Sequence, residues 1–135
     1  MKNANPSLKL VMRVTKALAD SQRVRIMMLL EAGELCVCQI VEVLGLAPST
    51  TSKHLSILED ANLIAGRKAG RWMYYRLTSG TAGAWVRPVR QWMQTALAED
   101  PQVAQDLGKL RRVTACPPDE LRKKQRKDLP GHPAT

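Results

Sequence analysis

The sequence predicts a mostly α-helical fold with one β-hairpin. Its 135 residues suffice for one hydrophobic core but not for two. With no Phe, three Trp and two Tyr, that core must be built from aliphatic residues and Met, which favours packed helices over a β-sandwich. Apolar residues recur at helical spacing on both sides of residues 64–77, where they alternate instead.

Two helices are predicted in the N-terminal part of the chain. Residues 7–19 carry apolar side chains at helical spacing. Asp20 or Ser21 can cap the next helix, about residues 22–31, which is apolar on nearly every side. Because Gly33 supplies a C-terminal stop, we expect a central, buried helix that ends before it.

The next segment predicts two short helices followed by a hairpin. Residues 38–44 form the third helix, which Gly45 ends. Pro48 suits the first turn of a fourth helix that runs to about residue 59. Residues 64–77 then alternate around an Ala-Gly turn, as two antiparallel strands do. This order predicts a winged helix-turn-helix, in which the second helix of the pair enters a major groove.

The C-terminal third is predicted to be less regular. Residues 79–97 show helical periodicity that Pro88 kinks or restarts. Residues 101–113 form a last short helix, and the charged residues 119–135 are expected to be disordered.

Charge favours a nucleic-acid partner. The chain has 21 Lys and Arg against 12 Asp and Glu, a formal charge of +9, which attracts polyanions such as double-stranded DNA. Hydroxyl, imidazole and ammonium groups on the fourth helix can contact base edges and phosphates, and wing cations can neutralise phosphates. The candidate DNA-binding residues are Ser49, Thr50, Thr51, Ser52, Lys53 and His54 on the helix, and Arg67, Lys68 and Arg71 on the wing.

The chain is expected to be cytoplasmic, without a membrane partner, since no apolar run approaches spanning length and no signal region is visible at the N-terminus. Its cysteines are Cys36, Cys38 and Cys116. An odd number in a reducing compartment argues against a disulfide framework and favours ligand binding or redox chemistry.

Three motifs carry a family resemblance: ELCVCQI at residues 34–40, KHL at 53–55 and RKAGRWMYYRL at 67–77. Over roughly residues 8–95 the chain resembles the ArsR/SmtB family of metalloregulatory repressors, specifically its arsenite-responsive members with an ELCVC motif. The resemblance implies a homodimer, paired through the first helix and the helix after the wing. It also implies that the dimer represses a resistance operon until As(III) or Sb(III) binds as inducer. The predicted division is a DNA-binding and dimerisation domain at residues 1–100 and a C-terminal extension at 101–135.

The thiol pair suits such a ligand on chemical grounds. Thiolates are soft ligands, and a helix N-terminus lowers the pKa of a cysteine. Residues two apart on a regular helix point about 200° apart, whereas in an extended segment they share a face. Binding one ion with both sulfurs therefore requires the helix start to be unwound at Cys36. We expect ligand binding to shift the third helix and the fourth helix packed on it, which is the recognition helix that enters the major groove. Ligand and operator would then compete.

The sequence leaves open which residue, if any, is the third ligand of the metalloid. Arsenite-responsive relatives often carry another cysteine where this chain has Val41. Cys116 could complete a three-sulfur site from the same or the partner subunit, and a two-sulfur site for a monomethylated arsenical is the other possibility. With His54 and His132 as its only histidines, the chain is poorly equipped for tetrahedral zinc.

Two other functions compete with metalloid sensing. One is a thiol redox or persulfide switch that pairs Cys36 with Cys38 or Cys116. The other is a constitutive DNA-binding protein whose cysteines only fill the core. No catalytic residue or catalytic cofactor is predicted, because the sequence has no phosphate-binding glycine loop and no helical His pair, and it offers a nucleophilic cysteine no base other than His54.

Overall fold

The computed structural model describes residues 7–128, and the elements within that range are mostly helical. Three short strands form one antiparallel sheet in the order β1-β3-β2, so the prediction of a helical fold with a β-hairpin wing is confirmed. The helices are α1 (Leu8–Ala17), α2 (Ser21–Leu30), α3 (Val37–Leu44), α4 (Pro48–Asp60), α5 (Gly80–Gly83), α6 (Arg87–Ala96), α7 (Pro101–Thr114) and α8 (Pro118–Asp128). The strands are β1 (Leu35–Cys36), β2 (Ile64–Ala69) and β3 (Trp72–Leu77).

Helix α2 is the centre of the core. Its cap is Asp20, whose Oδ1 accepts a hydrogen bond of 2.8 Å from the backbone N–H of Gln22. Ile26 and Leu29 are fully buried, as are Leu55 and Leu58 on α4. The two helices therefore share one apolar interior, as the continuous apolar surface of α2 predicted.

The turn between α3 and α4 fixes the helix pair that the sequence predicted. Gly45 ends α3 with φ 71°, and its N–H donates to the carbonyl of Val41 at 2.9 Å. Pro48 starts α4, where its missing N–H costs nothing.

The wing is attached to the helix pair through β1. β2 and β3 pair from Ile64 opposite Leu77 to Ala69 opposite Trp72. The other edge of β3 pairs with β1, where Cys36 lies opposite Tyr74. β1 was not predicted, since two residues are too few to show alternation.

The C-terminal helices pack on the same core. Leu110 of α7 and Leu121 of α8 are 5% and 4% exposed. The guanidinium of Arg25 on α2 donates two hydrogen bonds of 2.8 and 2.9 Å to the carboxylate of Asp106 on α7. The helix predicted at residues 101–113 is therefore present and docked.

Helix α8 differs from the disorder predicted for residues 119–135. Pro118 is the first residue of α8, and Asp119 and Glu120 lie in its first turn, where acidic groups favour helix formation. Leu121 then anchors it in the core. Residues 129–135 lie outside the described residues. No helix within residues 7–128 combines the length and the apolar character that crossing a membrane requires.

Candidate DNA-binding surface and thiol site

The recognition helix α4 presents a polar face at its start. Ser49, Thr50, Ser52 and Lys53 are exposed, as a surface that contacts a groove requires. Thr51 is fully buried, and its hydroxyl donates to the carbonyl of Ala47 at 3.1 Å. The prediction that Thr51 contacts DNA is therefore wrong.

His54 is half-buried and connects α4 to the first turn of α2 through Arg23. Its Nδ1 accepts a hydrogen bond of 3.1 Å from the guanidinium of Arg23. The same guanidinium donates to the carbonyl of Ala17 at 2.6 Å. One ring nitrogen of His54 is thus committed inside the protein.

The wing carries its three predicted cations at the surface, but two of them are paired. Arg67 donates two hydrogen bonds of 2.8 and 2.6 Å to the carboxylate of Glu34, and its guanidinium lies 5.0 Å from the ring centre of Tyr74. The hydrogen bond from Arg67 holds the pKa of the Glu34 carboxyl below its usual range. Arg71 donates to Asp119 of α8 at 3.2 Å, and Lys68 is exposed.

Cys36 and Cys38 bring their sulfurs together at the start of α3. The two Sγ atoms lie 3.2 Å apart, with Cys36 fully buried and Cys38 3% exposed. Cys36 precedes the helix in an extended conformation (φ −71°, ψ 146°), whereas Cys38 lies in the first turn. The pair therefore has the unwound geometry that sharing one ion requires.

The pKa values of the two thiols are shifted in opposite directions. Cys38 donates its proton toward the sulfur of Cys36, and this hydrogen bond, helped by the backbone N–H groups of Cys38 and Val37, lowers the pKa of Cys36 to about 7. The hydrogen bond and burial raise the pKa of Cys38. At neutral pH the pair is therefore partly one thiolate and one thiol, which suits a soft electrophile.

Helix α8 covers the pair from one side. Gln125 Nε2 donates to the carbonyl of Cys38 at 2.8 Å, and Cys38 Sγ lies 3.9 Å from the carbonyl of Pro118. Beside them is a cavity of about 240 Å³. It is lined by Val37, Cys38, Val41, Pro48, Ser52, Arg122 and Gln125.

Cys116 lies apart from the pair. It is half-buried between α7 and α8, and its Sγ is 3.6 Å from Oε2 of Glu120. Partial burial and the hydrogen bond to Glu120 raise the pKa of Cys116. Within the part of the chain that the structure describes, no three His, Cys, Asp or Glu side chains are grouped so as to hold a metal ion. The predicted set of Cys36, Cys38 and Cys116 is thus not assembled within one subunit.

Sequence reasoning missed the contacts of α8 and Glu34. Asp119, Arg122 and Gln125 lie in a segment predicted to be disordered, and Glu34 pairs with Arg67, 33 positions away. The available signal was the spacing of Pro118, Leu121 and Gln125, which places the three on one face over two helical turns, with Leu121 as an apolar anchor between two charged stretches.

Similarity to known proteins agrees with this geometry. The profile of the bacterial regulatory protein arsR family matches residues 20–65, from the cap of α2 into β2. An arsenic resistance transcriptional regulator, ArsR2 of Pseudomonas putida, is 35% identical over 79 residues, which cover 58% of this chain and 68% of that protein. The chain belongs to the ArsR family.

Further relatives support membership of the ArsR family. The arsenical resistance operon repressor of Escherichia coli K12 is 41% identical over 73 residues, covering 53% of this chain and 62% of that protein. The homodimeric winged helix-turn-helix DNA-binding domain of a possible ArsR-family regulator from Mycobacterium bovis is 35% identical. It superposes with a TM-score of 0.59 over 68% of this chain and 82% of that chain. The ArsR family consists of regulatory proteins, so the prediction that this chain is not an enzyme is confirmed.

The chain spans only part of the length of the curated relatives it matches. The aligned parts span 51% to 62% of the length of three curated ArsR-family relatives.

Proposed function

We propose that this ArsR-family chain is a repressor of an arsenic-resistance operon. It binds operator DNA as a homodimer and releases the DNA when Cys36 and Cys38 capture As(III) or Sb(III). Relatives named as arsenical resistance operon repressors support the operon, and the net charge of +9 supports the polyanionic partner.

The observation that carries the proposal is the position of the thiol pair. Cys36 belongs to β1, which is hydrogen-bonded to wing strand β3, and Cys38 belongs to α3, which packs on α4. The two sulfurs thus join the wing to the helix pair. A ligand held between them acts on the angle between the two DNA-contacting elements.

The chemistry needs no oxidant or reductant. Each thiol displaces one hydroxyl group from arsenous acid, so two As–S bonds form, two As–O bonds break and two water molecules leave. At a metal–sulfur distance of about 2.3 Å, two sulfurs on one ion lie roughly 3.3–3.8 Å apart. The Sγ atoms are separated by 3.2 Å, so they need little movement to bind the metalloid.

Capture nevertheless changes the junction. It removes the hydrogen bond between the thiols, replaces it with two covalent bonds and expands the buried space around Cys38. Cys38 borders the neighbouring cavity, but Cys36 is fully buried and does not line it, so bonding the metalloid to the sulfur of Cys36 as well requires movement of β1, α3 or α8. A coupling of about 3 kcal/mol would weaken operator binding roughly a hundredfold.

The homodimer is supported by exposed apolar groups on two helices. Leu8, Val11 and Met12 of α1 are 79%, 51% and 47% exposed, and Trp92 of α6 is 67% exposed. These are the helices through which the family resemblance implies pairing. Burying such groups against a second copy is favourable by about 25 cal/mol per Å².

Cys116 remains a candidate third ligand, supplied by the partner subunit or brought in by a movement of α8. If it does not participate, a two-sulfur site favours a monomethylated arsenical. The same site would then bind that ligand more tightly than arsenite.

A redox or persulfide switch is the second candidate, and the acidic Cys36 thiol 3.2 Å from Cys38 favours it. In that case the two thiols pass two electrons and two protons to the oxidant: an S–S bond forms between Cys36 and Cys38 as the O–O bond of hydrogen peroxide or the S–S bond of a persulfide breaks, and the oxidant leaves as two water molecules or as a thiol and hydrogen sulfide. Separate titrations with peroxide and with arsenite distinguish this switch from metalloid capture.

The test is binding of the purified chain to a duplex from its own promoter, titrated with arsenite, antimonite, methylarsenite, zinc and peroxide. We expect release by the trivalent species, and we expect Cys36→Ser to keep DNA binding but lose the arsenite response. Cys116→Ser reports whether a third sulfur is needed. Release of Cys36→Ser at wild-type arsenite concentrations would contradict the ligand assignment.

The DNA surface is tested separately through salt dependence. Lys53→Ala and Arg71→Ala should weaken duplex binding and reduce the magnitude of the negative slope of log affinity against log salt by about 0.9 for each phosphate that is no longer neutralised. Lys109→Ala on α7 is the matched control and should leave the slope unchanged. Unchanged slopes in both variants would remove these residues from the interface.

A further inference from the structure

Helix α8 places cations beside the tip of the wing. A cavity of about 380 Å³ lies between them. It is lined by Arg71 and Trp72 of β3 and its turn, and by Asp119, Arg122 and Lys123 of α8. Three cationic groups therefore face one carboxylate, and the cavity has an excess of positive charge.

The Trp72 ring holds two of these cations in place. The guanidinium carbons of Arg71 and Arg122 lie 5.5 and 5.4 Å from its ring centre. Such contacts restrict the guanidinium groups without using their N–H donors. Apart from the Arg71 donor that is bonded to Asp119, those donors stay available to a ligand.

The carboxylate in the cavity is a weak competitor for an incoming anion. The Arg71–Asp119 pair is 3.2 Å long, and its side chains are 78% and 60% exposed. Exposed pairs of this kind contribute little, so a phosphate can replace Asp119 on Arg71.

Arg122 also faces the recognition helix. The neighbouring cavity of about 240 Å³ is lined by Arg122 and Gln125 on one side and by Pro48 and Ser52 of α4 on the other. Arg122 thus lies between the wing tip and the start of α4, the two parts proposed to contact DNA.

Contacts with the core and with α3 fix the position of α8. Leu121 is 4% exposed, Gln125 donates to the carbonyl of Cys38 at 2.8 Å, and Lys124 lies 3.8 Å from the carboxylate of Glu42. Cations on a docked helix lose less conformational entropy on binding than the same cations on a disordered tail.

We propose that α8 is a third DNA-contacting element, in which Arg122 and Lys123 join Arg71 in binding backbone phosphates of the duplex. The proposal rests on the proposed DNA-binding function and extends its surface. Because phosphate contacts carry no direct sequence information, α8 contributes to affinity for any duplex rather than to operator choice.

The test compares the wild type with the double variant Arg122→Gln/Lys123→Gln across a series of salt concentrations, using operator and unrelated duplex. We expect the slope of log affinity against log salt, which is negative, to lose about 2 in magnitude for both duplexes, since each neutralised phosphate contributes about 0.9 to that magnitude. Lys124→Gln is the matched control on the same helix. Its ammonium pairs with Glu42 and lines neither cavity, so its slope should equal that of the wild type.

The single variant Lys123→Gln covers the case in which the double variant misfolds, because Lys123 is exposed and its replacement should not disturb folding. This variant should reduce the magnitude of the salt slope by about 1. If the wild type binds operator but the variants show the same salt slope as the wild type, the proposed role of α8 is overturned and the proposed DNA-binding function is not. Tighter binding by the variants also overturns it, since α8 would then screen the DNA surface. Failure of the wild type to bind any duplex overturns the proposed function and this inference together.

Discussion

At the scale of single residues, the chemistry of the site depends on an asymmetric thiol pair. Cys36 accepts a hydrogen bond from Cys38 at 3.2 Å and is also close enough to Arg122 for its charge to favour the thiolate. Burial raises the pKa of both thiols. Because the hydrogen bond stabilises the thiolate of Cys36 only, the pKa falls below its usual value at Cys36 and not at Cys38. The pair therefore presents one nucleophile with its proton donor beside it.

This asymmetry predicts a shift in the titration of Cys36. The thiolate fraction rises as the pH rises through the pKa, so ultraviolet thiolate absorbance in a Cys116→Ser background should reach half its change near pH 7. Adding Cys38→Ala removes the largest stabilising contact, and the midpoint should move up toward the free-cysteine value of about 8.5. A midpoint that does not move would show that the Cys38 hydrogen bond does not set the acidity.

Residue exposure on α4 was only partly predictable. The run of small polar residues indicated a groove-facing surface, and four of its members are exposed. Thr51, however, shares a helix face with Leu55 and Leu58, and that spacing directs it into the core. The pairing of Arg67 and Arg71 with carboxylates was not predictable from local pattern, because both partners are distant in sequence.

At the scale of elements, the helix pair depends on one left-handed turn. Gly45 has φ 71° and nothing within 4 Å of the position a Cβ would take, so a side chain there meets only a conformational penalty. Gly108, inside α7, has ordinary helical geometry, and a Cβ would meet Arg111 Nη2 at 3.8 Å.

The two glycines predict opposite effects of one substitution. Gly45→Ala should lower the free energy of unfolding by about 1 kcal/mol, since alanine disfavours the left-handed region. Gly108→Ala should raise it by about 0.5–1 kcal/mol, since glycine is a poor helix residue. Urea denaturation measures both, and equal signs would contradict the assigned backbone conformations.

The order of the helices and the hairpin was predictable because their periodicity is strong and glycine or proline marks their ends. Strand β1 was not, because its two residues exist as a strand only through pairing with Tyr74 and Tyr75. Helix α8 was not, because its sequence is mostly charged and its order depends on tertiary contacts of Leu121 and Gln125.

At the scale of the whole molecule, α7 is part of the fold rather than an appendage. The Arg25–Asp106 pair joins it to α2, with side chains 17% and 5% exposed, and Gln102 adds a hydrogen bond to Asp106 at 3.0 Å. Removing one partner of a charge pair this buried leaves the other charge without compensation and lowers the stability of the fold.

Removing one partner should therefore destabilise the whole chain. Asp106→Ala leaves the Arg25 guanidinium poorly solvated, and we expect a loss of about 3 kcal/mol in the free energy of unfolding. Asp119→Ala breaks the exposed pair with Arg71 and is the control, with an expected loss below about 1 kcal/mol. Similar losses in chemical denaturation would show that α7 is not part of the cooperative unit.

In the proposed mechanism, the thiol-bound metalloid and the operator compete for different shapes of the whole molecule. The most direct measurement is a reciprocal titration: operator affinity with and without saturating arsenite, and arsenite affinity with and without saturating operator, by calorimetry or anisotropy. We expect each ligand to weaken the binding of the other by the same factor, roughly a hundredfold, and Cys36→Ser to remove the effect of arsenite on operator affinity. Wild-type protein that binds both ligands at once, each with its full affinity, would contradict this mechanism.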